Sequence, residues 1–399
     1  MTDQLTTTAS GGLHVSEEFG PLLTRLDDIG PLIRREAQAA EAAGRLTPAV
    51  VQALHDSGVF RICIPRSLGG YEFSPRQAIQ TVERVSHHDA STGWIVHAVY
   101  VCSGTTAAYV GEEAAQSLYG DGRVTLVAGQ GTRPGTAVRV DGGYRLSGSW
   151  SFASGMHHAD HLHSAAVVEQ TGQVLILIQP KEQATLLGNW DVMGLRATGS
   201  IDYRLDDVFV PEAYAYDITT TEPVSGGALY RVGVWNIAGI ALTGWALGVG
   251  RRALDELRVL ARQKSGAPGA TVDSAEFHAD YARAEIALRS ARAWALEVWA
   301  GIETALDAGG RPSTEQETLA RLALINATRT GQSVCATAYK WAGTAALRDG
   351  DLQRVFRDMH AGCQHITSGP AVLHHSGRHL AGLAPDDAYW VFGELTGPK

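Results

Sequence analysis

Three groups of residues in this 399-residue chain carry side chains that could do chemistry. The first is the run from Gly142 to Gly155. Val138 and Val140 alternate with polar residues, Asp141-Gly142-Gly143 can reverse the chain, and Tyr144 and Leu146 resume the alternation, which predicts a β-hairpin. Its second strand ends in Trp150, Phe152, Ser154 and Gly155, a flat aromatic surface beside hydroxyls at a bend. Such a ledge suits a planar ring ligand; an ordinary strand with core aromatics is the competing reading. The second is His365, which precedes Ser368-Gly369-Pro370, where proline stops a helix. An imidazole there can face a cavity, and near neutrality it can donate or accept a proton. The third is His157-His158-Ala159-Asp160-His161-Leu162-His163, four histidines and an aspartate in seven residues. The composition invites a metal reading. On an extended segment, however, alternate side chains point to opposite faces, and no metal site is expected.

The elements that must position these residues fall into three blocks. From Glu17 to Phe60 an apolar stripe (Leu22, Leu26, Ile29, Ile33) has near-helical spacing, and Thr47-Pro48 restarts a helix that Gly58 closes. Ser74-Pro75 opens another helix, and Asp89-Ala90-Ser91-Thr92-Gly93-Trp94 precedes an apolar helical run to Tyr109. From Val124 to about Asp217 the pattern becomes short and alternating: a strand at Val124–Ala128, a loop from Gly129 to Thr136, the hairpin, two strands joined at Thr171-Gly172, and a strand from Ile201 to Val210. From Tyr230 onward helices return. Phe277, Tyr281, Ala284, Leu288, Ala291, Ala295 and Val298 form a seam at alternating four- and three-residue steps. A last pair of helices is expected from Leu352 to about Thr367 and from Ala371 to Leu383. The expected organisation is a flexible tail over 1–16, an N-terminal helical domain over 17–122, a middle antiparallel β-domain over 123–218 and a C-terminal helical bundle over 219–399. This is an α+β fold rather than alternating βαβ, and no GxGxxG follows a strand.

Composition narrows the function. A net charge of −9 without a Lys/Arg run argues against nucleic acid. No apolar run is expected to reach the ~18 residues that span a membrane, and the polar N-terminus is read as a frayed tail rather than a signal peptide. Cys63, Cys102, Cys335 and Cys363 form no CxxC pair, which points to a reducing compartment, the cytoplasm.

The block order and several segments resemble the acyl-CoA dehydrogenase superfamily. Gly194-Leu195-Arg196-Ala197-Thr198-Gly199-Ser200, followed by Asp206-Asp207-Val208-Phe209-Val210-Pro211, is similar to its middle-domain signature, and the Trp150 segment to its flavin-stacking strand. Asp89 to Trp94, Ser154-Gly155 with His158-Ala159-Asp160, and Gln353-Arg354-Val355-Phe356-Arg357-Asp358 with His365 resemble one branch, the two-component (group D) flavin-dependent monooxygenases. In feel the chain is similar to actinomycete natural-product hydroxylases that act on indoles, including indolosesquiterpenes.

The resemblance implies an oxidoreductase that takes reduced FAD, with FMN as the alternative, from a separate flavin reductase. With O2 as co-substrate it would hydroxylate an aromatic, indole- or phenol-like molecule through a C4a-hydroperoxyflavin. It also implies a homotetramer. His365 matches the branch's C-terminal catalytic histidine, and Ser154 the serine near flavin N5. Trp150 and Phe152 would pack along the flavin, the loop at Gln130 would offer it backbone N–H groups, and Arg262 would reach the phosphates of a neighbouring subunit's flavin. His97, with Trp94, Cys102 and Trp235, would line the substrate pocket. Related enzymes place a second histidine where this chain has Cys102, which leaves that role open. The competing enzyme is an acyl-CoA dehydrogenase, which needs a carboxylate base; the window from Arg357 to Leu383 holds Asp358, read as paired with Arg357, but no glutamate. A flavin oxidase or N-hydroxylase on the same scaffold is a further alternative.

Overall fold

Asp89 starts the helix on which the rest of the chain packs. Its carboxylate accepts from the backbone N–H and the hydroxyl of Thr92, both at 2.8 Å, and so caps α4 (Ala90–Tyr109). Almost every residue of α4 is buried, so this is a core helix with no solvent face. In the computed structural model, which describes residue 13 and residues 16–397, the N-terminal block also holds α1 (Phe19–Ala43), α2 (Pro48–Ser57), α3 (Pro75–His88) and α5 (Glu112–Tyr119); α3 and α5 pack on α4, and α1 packs on α3. Most of the expected tail over 1–16 lies outside the described residues.

The middle block is a seven-stranded sheet: β1 (Val127–Val140), β2 (Gly143–Ala153), β3 (His161–Val168), β4 (Val174–Pro180), β5 (Thr185–Leu186), β6 (Ile201–Pro211) and β7 (Ala215–Asp217). Its order is β5-β6-β2-β1-β3-β4-β7. The expected hairpin is β1–β2, paired from Val140–Gly143 back to Thr136–Ser147. Two features differ from expectation. The strand begins at Val127 rather than Val124, and it runs on without a break through the loop expected over Gly129–Thr136, shifted in register between Gln130 and Gly135. One pair, β1–β3, is parallel, while the others are antiparallel. The irregularity keeps the strand going while leaving residues 131–134 out of the β1–β3 ladder.

The C-terminal block holds α6 (Gly233–Lys264), α7 (Ala275–Asp307), α8 (Thr314–Ala342), α9 (Asp351–Gly362) and α10 (Pro370–Leu380). The seam residues Phe277, Ala284, Leu288, Ala291 and Ala295 of α7 are buried, and Tyr281 and Val298 are partly buried. Helix α6 carries an 18-residue stretch apolar enough to cross a membrane, which corrects the sequence expectation. However, 78% of that stretch is packed inside the fold, so it serves as a core helix. Glycine allows its closest contact. A Cβ on Gly244 or Gly248 would lie 2.3 Å from the carbonyl oxygen of Ile79 or Glu83 on α3. Trp245 of α6 donates its indole N–H to the Ala90 carbonyl at 2.9 Å, which joins α6 to the start of α4.

The last residues form a small hairpin, β8 (Tyr389–Val391) with β9 (Glu394–Thr396), which the sequence reading did not anticipate. Arg321 of α8 stacks on Trp390 at 4.3 Å and donates to the Phe392 carbonyl at 3.0 Å.

Because α3 and α6 meet backbone to backbone, Gly244→Ala or Gly248→Ala must push two helices apart. Each substitution is expected to cost about 1–3 kcal/mol in urea unfolding. A wild-type midpoint in both variants would mean that the α3–α6 contact is looser than described.

Candidate active site

Where α4, the bulged ends of β1 and β2, the start of α6, the segment after α9 and the terminal hairpin converge, they enclose a cavity of about 960 Å³. Trp94, Phe152, Trp190, Trp235 and Phe392 give it apolar walls. His97, Cys102, Gln130, Ser154 and His365 also line it. Thus eight of the side chains singled out from sequence (Trp94, His97, Cys102, Gln130, Phe152, Ser154, Trp235 and His365) share one cavity. Among the described residues no aspartate or glutamate lines it, and Arg133 is its one Lys or Arg.

His365 does not sit on a helix, as the sequence suggested. α9 ends at Gly362, and His365 caps the short 3₁₀ turn Ile366–Ser368. Its Nδ1 lies 2.8 Å from the Thr367 hydroxyl and 3.4 Å from the Thr367 backbone nitrogen. A backbone N–H can only donate, so we assign Nδ1 as acceptor and the ring proton to Nε2. Burial pushes this imidazole down to about 4. His97 is buried as well, with both ring nitrogens unpartnered, and burial, then the neighbouring His365, push it down to about 3. The two rings meet edge to face at 6.0 Å, and each packs against Trp94, at 5.3 and 5.7 Å. At neutral pH both imidazoles are uncharged. An unpartnered polar ring in a dry wall is costly unless a ligand satisfies it.

A hydroxyl network starts from the same Trp94. The Trp94 indole N–H donates to Ser154 Oγ at 3.0 Å. Ser154 Oγ lies 2.7 Å from Ser200 Oγ, which lies 2.7 Å from Thr198 Oγ1. Thr198 donates to the Leu195 carbonyl at 2.8 Å. Leu195 is fixed in turn: its N–H donates to Asp358 Oδ1 at 2.6 Å. This corrects the expected Arg357–Asp358 pair. Arg357 pairs instead with Glu41 at 2.6 Å, while Asp358 faces Leu195, and burial together with the charge of Asp89 pushes its carboxyl up to about 7. Gly194 permits the approach, since a Cβ there would lie 2.2 Å from the Arg357 carbonyl oxygen.

Other expectations resolve differently. Trp150 is fully buried away from the cavity, stacked on Tyr203 at 5.2 Å, with its N–H on the Ala165 carbonyl. Period-two alternation would put Trp150 and Phe152 on one face. A register shift between Trp150 and Ala153, with Phe152 at φ +67°, turns Phe152 alone toward the cavity. Gln130 lines the cavity with its amide already engaged: its Oε1 accepts twice from Thr132 and its Nε2 donates to Ser151. Arg262 lies exposed in the last turn of α6, outside the cavity. The Cys102 thiol is pushed up to about 12 by burial and is therefore neutral. The histidine run diverges. His163 lines the cavity, with burial pushing its ring down to about 4, whereas His157 packs beside Gly199. Sequence reading missed Phe392, although the alternation around Phe392-Gly393 after residue 388 is a hairpin signal.

Residues 32–121 match the family described as acyl-CoA dehydrogenase, N-terminal domain, and residues 240–369 match acyl-CoA dehydrogenase, C-terminal domain. The chain is 32% identical to indole-3-acetate monooxygenase of Pseudomonas putida over 351 residues, covering 85% of this chain and 88% of that protein. It is 30% identical to the oxygenase component of the FADH2-dependent resorcinol hydroxylase of Rhizobium sp., covering 92% and 96%. The structure of XiaF from Streptomyces sp. in complex with FADH2 and glycerol superposes with a TM-score of 0.85 at 25% identity, over 93% of this chain and 97% of that one. With this cavity, these matches and the block order in agreement, the chain belongs to the acyl-CoA dehydrogenase superfamily, in its branch of flavin-dependent monooxygenase oxygenase components.

Proposed function

We propose that this protein hydroxylates an aromatic small molecule, indole- or phenol-like, using reduced flavin supplied by a separate reductase. Reduced FAD is the preferred cofactor and FMN the alternative. The observation that carries the reading is the cavity itself: aromatic walls, two neutral imidazoles and a hydroxyl relay, with no carboxylate among its described lining residues. An acyl-CoA dehydrogenase removes a proton with a carboxylate, and Asp358, the one acid of the expected window, is committed to Leu195. The cavity also fits a flavin by its chemistry. The His97 ring is unpartnered in the cavity wall, and the Arg133 guanidinium suits an anionic group. When bound, reduced flavin supplies the activation of O2.

The chain's own residues do the rest. Trp94, Phe152, Trp190 and Trp235 exclude water and orient a planar substrate. His365, with its proton assigned to Nε2, offers a donor into the cavity, and His97 can donate or accept there. Ser154 and Ser200 hold the cofactor edge, and the backbone around Gln130 borders it. We further propose a homotetramer in the cytoplasm; four free cysteines support the reducing compartment. Arg262, exposed on α6, is available to a neighbouring subunit.

His365→Ala is expected to lower substrate hydroxylated per reduced flavin consumed by about 10²-fold, with electrons appearing as hydrogen peroxide instead. Full coupling in that variant would remove His365 from the reaction. Anaerobic mixing of the protein and oxidised flavin with acyl-CoA thioesters is expected to leave the flavin oxidised; bleaching of the flavin by the thioester would restore the dehydrogenase reading.

The depressed histidines also set a pH dependence of stability. Folded values of about 3 and about 4 lie below the ordinary 6.5, so between about pH 4 and 6.5 the unfolded chain binds more protons. Stability is therefore fully present above about 6.5 and falls as pH drops. Urea unfolding of a His97→Asn/His365→Asn variant is expected to show a shallower fall across that window. An unchanged slope would mean that these rings are not buried in the neutral form.

A further inference from the structure

The hydroxyl network behind Ser154 has a fixed direction, which follows from counting protons. The Leu195 carbonyl can only accept, so the single hydroxyl proton of Thr198 must point to it across 2.8 Å. Thr198 is then an acceptor toward Ser200, so the Ser200 proton lies in that 2.7 Å contact. Ser200 has no proton left, so the Ser154 proton fills the next 2.7 Å contact. At the far end the Trp94 indole can only donate, and it donates to Ser154. Reversing any one hydroxyl would put two lone pairs face to face in a buried site. Ser154 and Ser200 both line the cavity, and each has one lone pair and no proton left for it. These two hydroxyls can therefore accept from the cavity but cannot donate to it.

We propose that this acceptor-only pair selects the redox state of the flavin, and that Thr198, which does not line the cavity, is the positioning residue that enforces it. The inference rests on the flavin reading above. Reduction of an isoalloxazine converts N5 from a lone pair to an N–H. If the N5 edge of the flavin is seated on Ser154 and Ser200, the reduced ring would present a donor to an acceptor, whereas the oxidised ring would present a lone pair to a lone pair. The oxygenase thus holds the form that its reductase delivers and releases the spent form. Two constraints fix the direction: the donor-only indole and the acceptor-only carbonyl that close the chain.

The test compares dissociation constants for oxidised and anaerobically reduced FAD, measured by equilibrium titration of the full-length protein. Thr198→Val keeps the shape but deletes the terminal relay. Ser200 can then donate to Ser154, and the Ser154 proton becomes free to face the cavity. The ratio of oxidised to reduced dissociation constants is expected to fall by about tenfold, mainly through tighter binding of oxidised FAD. Thr198→Ser keeps the hydroxyl and is expected to keep the wild-type ratio. Ser200→Ala frees the Ser154 proton by a second route and should move the ratio in the same direction. A merely structural role for Thr198 would weaken both redox forms alike and leave the ratio unmoved, which would overturn the proposal. Flavin binding with an unchanged ratio in both Thr198→Val and Ser200→Ala would overturn it alone. No binding of either redox form by the wild-type protein would overturn the flavin reading and this proposal together.

Discussion

A buried N–H is costly without a partner, and the rest of the site depends on how Trp94 finds one. Its indole lies on a helix with no solvent face, packed edge to face on Trp245 at 4.9 Å. Unpaired, that donor would cost about 1–3 kcal/mol. Its partner, Ser154, lies at the end of a strand from the other structural layer. One hydrogen bond thus ties the helical block to the sheet at the wall of the cavity. The same indole packs against both His97 and His365, so three blocks of the chain meet on it.

Low polarity then decides the chemistry. In a cavity walled by aromatic rings, charge is expensive and imidazoles stay neutral. Neutral imidazoles can donate and accept protons at working pH, which an imidazolium cannot do. The buried carboxyl of Asp358 is turned away from the cavity to hold the Leu195 amide. A scaffold shared with carboxylate-dependent enzymes therefore presents hydroxyls and imidazoles in this chain. The flavin-dependent monooxygenase branch is where these sequences and this cavity agree.

Support for the site comes from parts distant in sequence. The 3₁₀ turn after α9 aims His365, and α9 also clamps the loop that ends the hydroxyl relay, through Asp358 on Leu195 and Arg357 on the Met193 carbonyl at 2.7 Å. Arg321 holds the terminal hairpin so that Phe392 closes the wall beside Trp235, with ring centroids 5.7 Å apart. Glycines at 194, 244 and 248 permit the close approaches on which these clamps depend.

Sequence alone determined the α+β block order, the β1–β2 hairpin, the α7 seam and the family, because apolar periodicity and local motifs are written in neighbouring residues. It also named Ser154 and His365, through the resemblance to the family, and His97, through its place one turn after Trp94. The tertiary structure decided what depended on distant partners. Trp150 and Phe152 share a parity in sequence, but a bulge with Phe152 in the left-handed region sends one ring to the core and the other to the cavity. Asp358 stands beside Arg357 in the chain, yet backbone geometry hands it to Leu195. The direction of the serine relay was not legible either. Hydroxyls rotate freely, and only the fixed donor and fixed acceptor that the fold sets at the two ends leave them a single arrangement.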